Sequence, residues 1–193
     1  MARKVGILPG QVVEAAAELT DRDGLAGLTL TALARHLGIR TPSLYAHVDG
    51  LPGLRRELQA YGAHALAAAI RDGSVDTEGA AAMRAFARTY RAFAHEHPGL
   101  YELIQHAVSA DDDPAVARAL AEPVEVVVRS LESLGVEGDD AVHTVRIWRA
   151  ALHGFVDLEC RGGFAIPLGI DDTYERLVES LLAPLTVATP RRV

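Results

Sequence analysis

Apolar residues return along this chain at three- and four-residue intervals, and the stops between them are glycines, prolines and acids. Val12, Val13, Ala16, Ala17 and Leu19 form one helical stripe before Gly24, and Leu30, Leu33, Ala34 and Leu37 form a second before Gly38. A longer pattern runs from Leu54 to Ile70 and stops at Asp72-Gly73; another runs from Gly79 to His95 and stops at His97-Pro98-Gly99. Residues 100–109 predict a short helix. Asp113-Pro114 reads as a cap followed by proline at the first helical position, Asp139-Asp140 as the cap of a run to Cys160, and Asp172 with Glu175 as a capping box. No alternating stretch of strand length occurs, so the pattern predicts an all-α fold of about nine helices.

The stretch Leu30–Leu51 sets two short helical patterns on either side of a corner. Thr29 can cap the first, Gly38 supplies the backbone freedom that ends it, Ile39 plugs the turn, and Thr41-Pro42 opens the second. Leu44 and Val48, four apart, point one way and leave Thr41, Ser43, Tyr45 and His47 to the other faces. Hydroxyl and imidazole groups on a slender helix suit a major groove, and this is helix-turn-helix chemistry. A helical hairpin inside a bundle would show the same bare pattern, so at this point both readings stand.

Composition bounds the rest. With 193 residues, of which 49% are hydrophobic, the chain can bury a substantial core. The single cysteine, Cys160, excludes an internal disulfide, and MARKVGILPG has no secretory pattern, which points to the cytoplasm. No apolar run is long enough to span a membrane. The net charge of −7 is unevenly spread: residues 1–60 hold seven Lys+Arg against six Asp+Glu, whereas residues 61–193 hold twelve against twenty. Acidity in the larger part leaves the local potential of a DNA-facing surface undecided, though it removes bulk attraction as an argument.

Other chemistry finds little support. The imidazoles of His95-Glu96-His97 point apart at a helix end, and Asp111-Asp112-Asp113 lacks the alternating ligands of a calcium loop, so no metal is expected. There is no glycine-rich phosphate loop and no G-x-S-x-G elbow, and Cys160 has no base near it in sequence. Neither a catalytic residue nor a cofactor is predicted.

The residues "LTLTALARHLGIRTPSLYAHVDGLPGLRREL" resemble the DNA-binding region of the tetracycline-repressor (TetR) family. "HPGLYELI", "IWRAALHGFVDLE" and "GGFAIP" resemble the branch with a Trp...His-Gly motif in its C-terminal domain, here Trp148 and His153-Gly154. The resemblance implies a helix-turn-helix domain over residues 1–50, and a ligand-binding and dimerisation domain over residues 51–193. It implies that Thr29, Tyr45 and His47 contact phosphates of double-stranded operator DNA while Arg40, Thr41, Pro42 and Ser43 lie nearest the base edges. Arg40 stands where many members have a capping serine, and Leu51 where many have a lysine. Arg40 is then the candidate reader of guanine, and the basic residues Arg3-Lys4 are either an arm that reaches a phosphate or the minor groove or an ordinary solubilising terminus.

The larger segment carries what a sensor needs. Tyr61, Phe86, Tyr90, Phe93, Tyr101 and Trp148 are interleaved with His64 and His153; they can line an effector pocket or simply form core. Ile147, Ala151, Gly154 and Leu158 form one stripe, and Leu177, Leu181 and Leu185 another. Two copies could close these into a four-helix homodimer interface, or the two helices could pack on each other within one chain. The expected function is a transcriptional regulator, a repressor released from a palindromic operator by a small-molecule effector. The alternative is a helical small-molecule-binding or enzymatic protein whose N-terminal hairpin is only structural.

Overall fold

In the computed structural model, which describes residues 8–106, 108 and 113–187, the described residues form helices joined by turns and contain no strand. The helices are α1 (Pro9–Gly27), α2 (Leu30–His36), α3 (Thr41–Leu44), α4 (Gly50–Gly73), α5 (Gly79–Glu96), α6 (Pro98–Ile104), α7 (Pro114–Glu132), α8 (Gly138–Cys160) and α9 (Ile170–Val187). The order is the one the hydrophobic periodicity predicts. The arm Arg3-Lys4 and two of the three acids, Asp111 and Asp112, lie outside the described residues.

Packing divides the chain into two units: residues 1–65 with 96–121, and residues 66–95 with 122–193. In the first, α1 packs against α2 and α6, and α2 against α3. Its core takes Val12, Ala16 and Leu19 from α1, Leu33 and Ala34 from α2, Leu44 from α3, Leu54 and Leu58 from α4, and Leu100 from α6. Asp21 fastens α1 to α6. Its Oδ1 accepts the backbone N–H groups of Gly99 at 2.9 Å and Leu100 at 3.0 Å, and its Oδ2 lies 2.9 Å from Nδ1 of His97. These are first-turn donors that α6 cannot satisfy itself, so a carboxylate from another helix serves as its cap. Gly99 is where the two backbones meet, since a Cβ there would run into the carbonyl oxygen of Thr20. At the other end of α6, the buried Gln59 of α4 donates from Nε2 to the carbonyl oxygens of Leu103, 3.0 Å, and His106, 2.7 Å.

In the second unit, α5 buries Met83, Phe86, Tyr90 and Phe93, α8 buries Val145, Trp148, Leu152 and Phe155, and α9 buries Tyr174, Val178 and Leu182. Phe86 meets Tyr90 edge-on at 5.9 Å and Trp148 at 6.3 Å; Phe155 lies 5.0 Å from Tyr174 and 4.9 Å from Phe164. The hydroxyl of Tyr174 donates to the carbonyl oxygen of Ala87 at 2.6 Å, and burial raises its pKa. Arg91 sits 4.8 Å above the Tyr174 ring and forks to Glu159, with Nε 2.9 Å from Oε2, while its Nη2 also reaches Oδ1 of Asp171 at 2.7 Å. The Arg91 guanidinium, aided by His95, holds the Glu159 carboxyl below its usual range.

Two expected caps are corrected. α8 begins at Gly138 with Glu137 as its cap residue, and α9 begins at Ile170, so Asp139-Asp140 and Asp171-Asp172 all lie in first turns. There they favour the positive end of the helix dipole without capping it, and Asp172 with Glu175 forms no capping box. Asp113 does cap α7: its Oδ1 accepts the N–H of Val116 at 3.1 Å.

Candidate nucleic-acid interface

The corner at residues 29–50 is built by local chemistry. Thr29 Oγ1 accepts the N–H of Ala32 at 3.1 Å and starts α2. Gly38, at φ +67°, takes the left-handed conformation that ends it. Ile39 returns its N–H to the carbonyl of Ala34 at 2.9 Å, and Arg40 then leads into α3, with Pro42 in its first turn. Leu44 is fully buried and Val48 nearly so. These two anchors hold down a helix too short to persist alone, and everything else on it faces outward.

Pro42, Ser43 and Arg40 are exposed, Tyr45 is 63% exposed, and Thr41 and His47 are half-buried. The four-residue α3 runs into turns at Tyr45–His47, and α4 follows from Gly50. Arg40, Thr41, Pro42, Ser43, Tyr45 and His47 therefore fall within eight consecutive residues around one helical turn, while Thr29 lies one helix earlier, engaged as a cap through its oxygen. Among the described residues the side chain of Arg40 makes no ion pair or hydrogen bond, nor does that of Arg55 on α4, whereas Arg56 is held by Asp49 at 3.8 Å and Asp113 at 3.4 Å. A cation without an internal partner, beside free hydroxyls, leaves the donors that phosphates and guanine edges require.

The candidate effector residues fall into different environments. Phe86, Tyr90, Phe93 and Trp148 are core of the second unit, with Trp148 only 1% exposed; Tyr101 is core of the first. Tyr61 and His64 are exposed on α4, and His153 is half-buried on α8. His64 lines a shallow cleft of about 390 Å³ with Pro114, Ala115, Arg118 and Ala119 in the first unit. A larger groove, of about 590 Å³, lies between α5 and α9, lined by charged residues such as Arg88, which the sequence pattern does not mark, and Glu175, which it marks only as half of a capping box. The sequence shows the charges at i, i+4 and i+7 on α5 and at i, i+4 and i+8 on α9, but not their pairing across 80 to 95 positions.

On α8, Ile147 is 59% and Leu158 49% exposed, with Gly154 open to solvent and Ala151 half-buried between them. Leu177, Leu181 and Leu185 are half-buried on α9, beside the stripe of Tyr174, Val178 and Leu182 that fills the core. Among the described residues the α8 stripe thus stays largely uncovered. Cys160 gains a neighbour that sequence proximity concealed: its Sγ lies 3.9 Å from Nδ1 of His95, whose Nε2 meets Glu159 at 2.9 Å. Burial and the adjacent Glu159 raise the thiol pKa, which opposes thiolate formation. His97 turns instead to Asp21, and among the described residues no group of three or more His, Cys, Asp or Glu is arranged to hold a metal. No helix is long and apolar enough to cross a membrane among those residues.

Comparison with known proteins agrees with this geometry. Residues 83–181 match the family described as Tetracyclin repressor-like, C-terminal domain. Rv0681 of Mycobacterium tuberculosis, an uncharacterised HTH-type transcriptional regulator, is 34% identical over 162 residues, covering 84% of this chain and 74% of that protein. YobS of Bacillus subtilis, also an uncharacterised HTH-type transcriptional regulator, is 31% identical over 188 residues, 97% of either chain. The crystal structure of BioQ with its natural double-stranded DNA operator superposes with a TM-score of 0.64 at 24% identity, covering 92% of this chain and 99% of that one. With the corner at residues 29–50 and the family match across its C-terminal half, the chain belongs to the TetR family of helix-turn-helix transcriptional regulators.

Proposed function

We propose that this chain is a ligand-responsive repressor that binds a palindromic double-stranded operator as a homodimer in the cytoplasm and leaves it when a small molecule binds. The observation that carries the reading is α3: Leu44 and Val48 pin it from beneath while Arg40, Ser43 and Tyr45 stand exposed, the Arg40 side chain without a partner among the described residues. Residues 1–50 serve as the DNA-binding part and residues 51–193 as the effector-binding and dimerisation part. Thr29, Tyr45 and His47 contact phosphates; Arg40, Thr41, Pro42 and Ser43 read base edges. BioQ, crystallised with an operator, supports DNA as the partner.

The effector is small and largely apolar and is received within residues 51–193. Occupancy shifts α4, whose first residue follows α3 by only the turn Tyr45–Asp49, and so changes the seating of the recognition helix. Such coupling is typically about 1–3 kcal/mol, and operator must weaken effector binding by the same factor that effector weakens operator binding. The test is selection of duplexes from a randomised DNA pool, followed by gel shifts of the winning sequence. Enrichment of an inverted repeat supports the reading; recovery of no sequence above background overturns it. A regulator rather than an enzyme is also the reading that the family membership supports.

A further inference from the structure

Helices α5 and α9 of the second unit face each other with opposite charges. Arg84, Arg88, Arg91 and His95 recur at intervals of four, three and four, which puts them on one face of α5. Asp171, Glu175 and Glu179 recur every four residues on α9. The outer positions are joined. Arg84 Nε lies 2.6 Å from Oε1 of Glu179, with Nη2 2.8 Å from Oε2, and Arg91 Nη2 lies 2.7 Å from Oδ1 of Asp171.

Pairing of residue 84 with 179 and of 91 with 171 runs antiparallel, which makes Arg88 and Glu175 partners of the middle rung. Both line the groove, yet among the described residues neither side chain makes a hydrogen bond or ion pair. At that open rung lies the groove of about 590 Å³, with Ala92, Tyr174 and Val178 in its walls. A cation and an anion, each unpaired, stand on the two sides of a partly apolar channel.

We propose that the groove binds a small zwitterion, a molecule carrying a carboxylate and an ammonium at the two ends of a short apolar spacer. The carboxylate takes the fork of Arg88, the ammonium takes Glu175, and the spacer lies against Ala92 and Val178. The charge inventory selects this class over a simple anion. Arg84 is already neutralised by Glu179, and Arg91 by Glu159 and Asp171, so an anion at Arg88 would leave Glu175 facing it uncompensated. A simple cation would leave Arg88 in the same position. Around α9, the acids and the half-buried Leu177, Leu181 and Leu185 flank the core stripe on opposite sides, so occupancy of the groove leaves the leucine face free. The proposal is independent of DNA binding.

The test uses the full chain with a graded series of probes: γ-aminobutyrate, δ-aminovalerate and ε-aminocaproate, against the matching fatty acids and alkylamines. Melting temperature and calorimetric affinity are measured for each. One zwitterion of the series is expected to raise the melting temperature and to bind roughly tenfold or more tightly than either of its single-charge counterparts. Arg88→Gln and Glu175→Gln should each weaken that binding by roughly tenfold or more while the melting temperature without ligand stays unchanged, because neither side chain has a partner to lose. If no zwitterion exceeds its single-charge counterparts, or if binding survives in both variants, the proposal is overturned. A drop in the ligand-free melting temperature of both variants would also overturn it, since Arg88 and Glu175 would then be closing the rung themselves.

Discussion

Arg40 and Tyr45 flank the short helix α3 and differ in what they offer a DNA partner. Both are exposed, but Arg40 is a five-donor fork with no internal partner, and Tyr45 offers a single hydroxyl from a 63% exposed ring. If Arg40 reads a guanine, Arg40→Ala should cost about 1–3 kcal/mol on the preferred operator and relax the base preference at one position per half-site. Tyr45→Phe, which deletes only the hydroxyl, should weaken all duplexes alike. Binding measured across a panel of single-base operator variants separates the two; a uniform loss for Arg40→Ala would reduce it to a backbone contact. The corner that presents them was legible because it rests on local pattern: the hydroxyl cap at Thr29, the positive-φ Gly38 and the buried pair Leu44 and Val48 all lie within twenty residues. Cys160 was not legible in the same way, because His95, its neighbour at 3.9 Å, is 65 positions away and no short-range rule connects them.

Helix order followed the hydrophobic period closely, and helix starts did so less well. Glu137 and Gly169 precede α8 and α9 where aspartates were expected to cap, because several acids in a row satisfy the first-turn preference equally and leave the cap position ambiguous. What joins one helix to another was hidden altogether. Asp21 reaches 76 to 79 positions along the chain to cap α6, and the sequence offers only a glycine in His97-Pro98-Gly99 as its trace. Gly99→Ala should therefore destabilise the protein by about 1–3 kcal/mol, because the added methyl meets backbone rather than a movable side chain. Gly154→Ala, where nothing lies within reach, should by this measure leave the folded monomer unharmed. Chemical denaturation of the two variants checks the contrast. The tie of α5 to α8 makes a pH prediction. Glu159 is held below its usual range chiefly by Arg91, so its contribution is fully present above the unfolded carboxylate pKa, about 4.3, and fades as pH falls through the lower folded value. Glu159→Gln should cost about 1–2 kcal/mol near neutrality, and the gap from the parent chain should close on acidification. A gap that stays constant from neutral pH into acid would remove Glu159 from the account.

For the whole molecule, the question is what covers the apolar face of α8. Val142 is 42% exposed on α8, and Ile147 and Leu158 more so, while Gly154 and Ala151 keep part of the surface low. Single exposed apolar residues need no explanation, but a stripe at intervals of four, three and four along one helix does. Small residues between large ones let a second helix approach closely, and Leu177, Leu181 and Leu185 of α9, half-buried in the single chain, have area left to contribute. A twofold arrangement would place each stripe against its own copy, and it would give the molecule two recognition helices for half-sites one DNA turn, ~34–36 Å, apart. Ile147→Asp sets like charges against each other across such a contact, and Gly154→Arg fills the low ground; neither position is packed within the chain. Both variants should keep helix content and sediment as monomers at concentrations where the parent chain is a dimer. Their affinity for a single half-site should survive while affinity for the palindrome falls toward it, since the second contact is no longer tethered to the first. A parent chain that sediments as a monomer at micromolar concentration yet holds the palindrome with full affinity would refute the dimer, and with it the spacing argument.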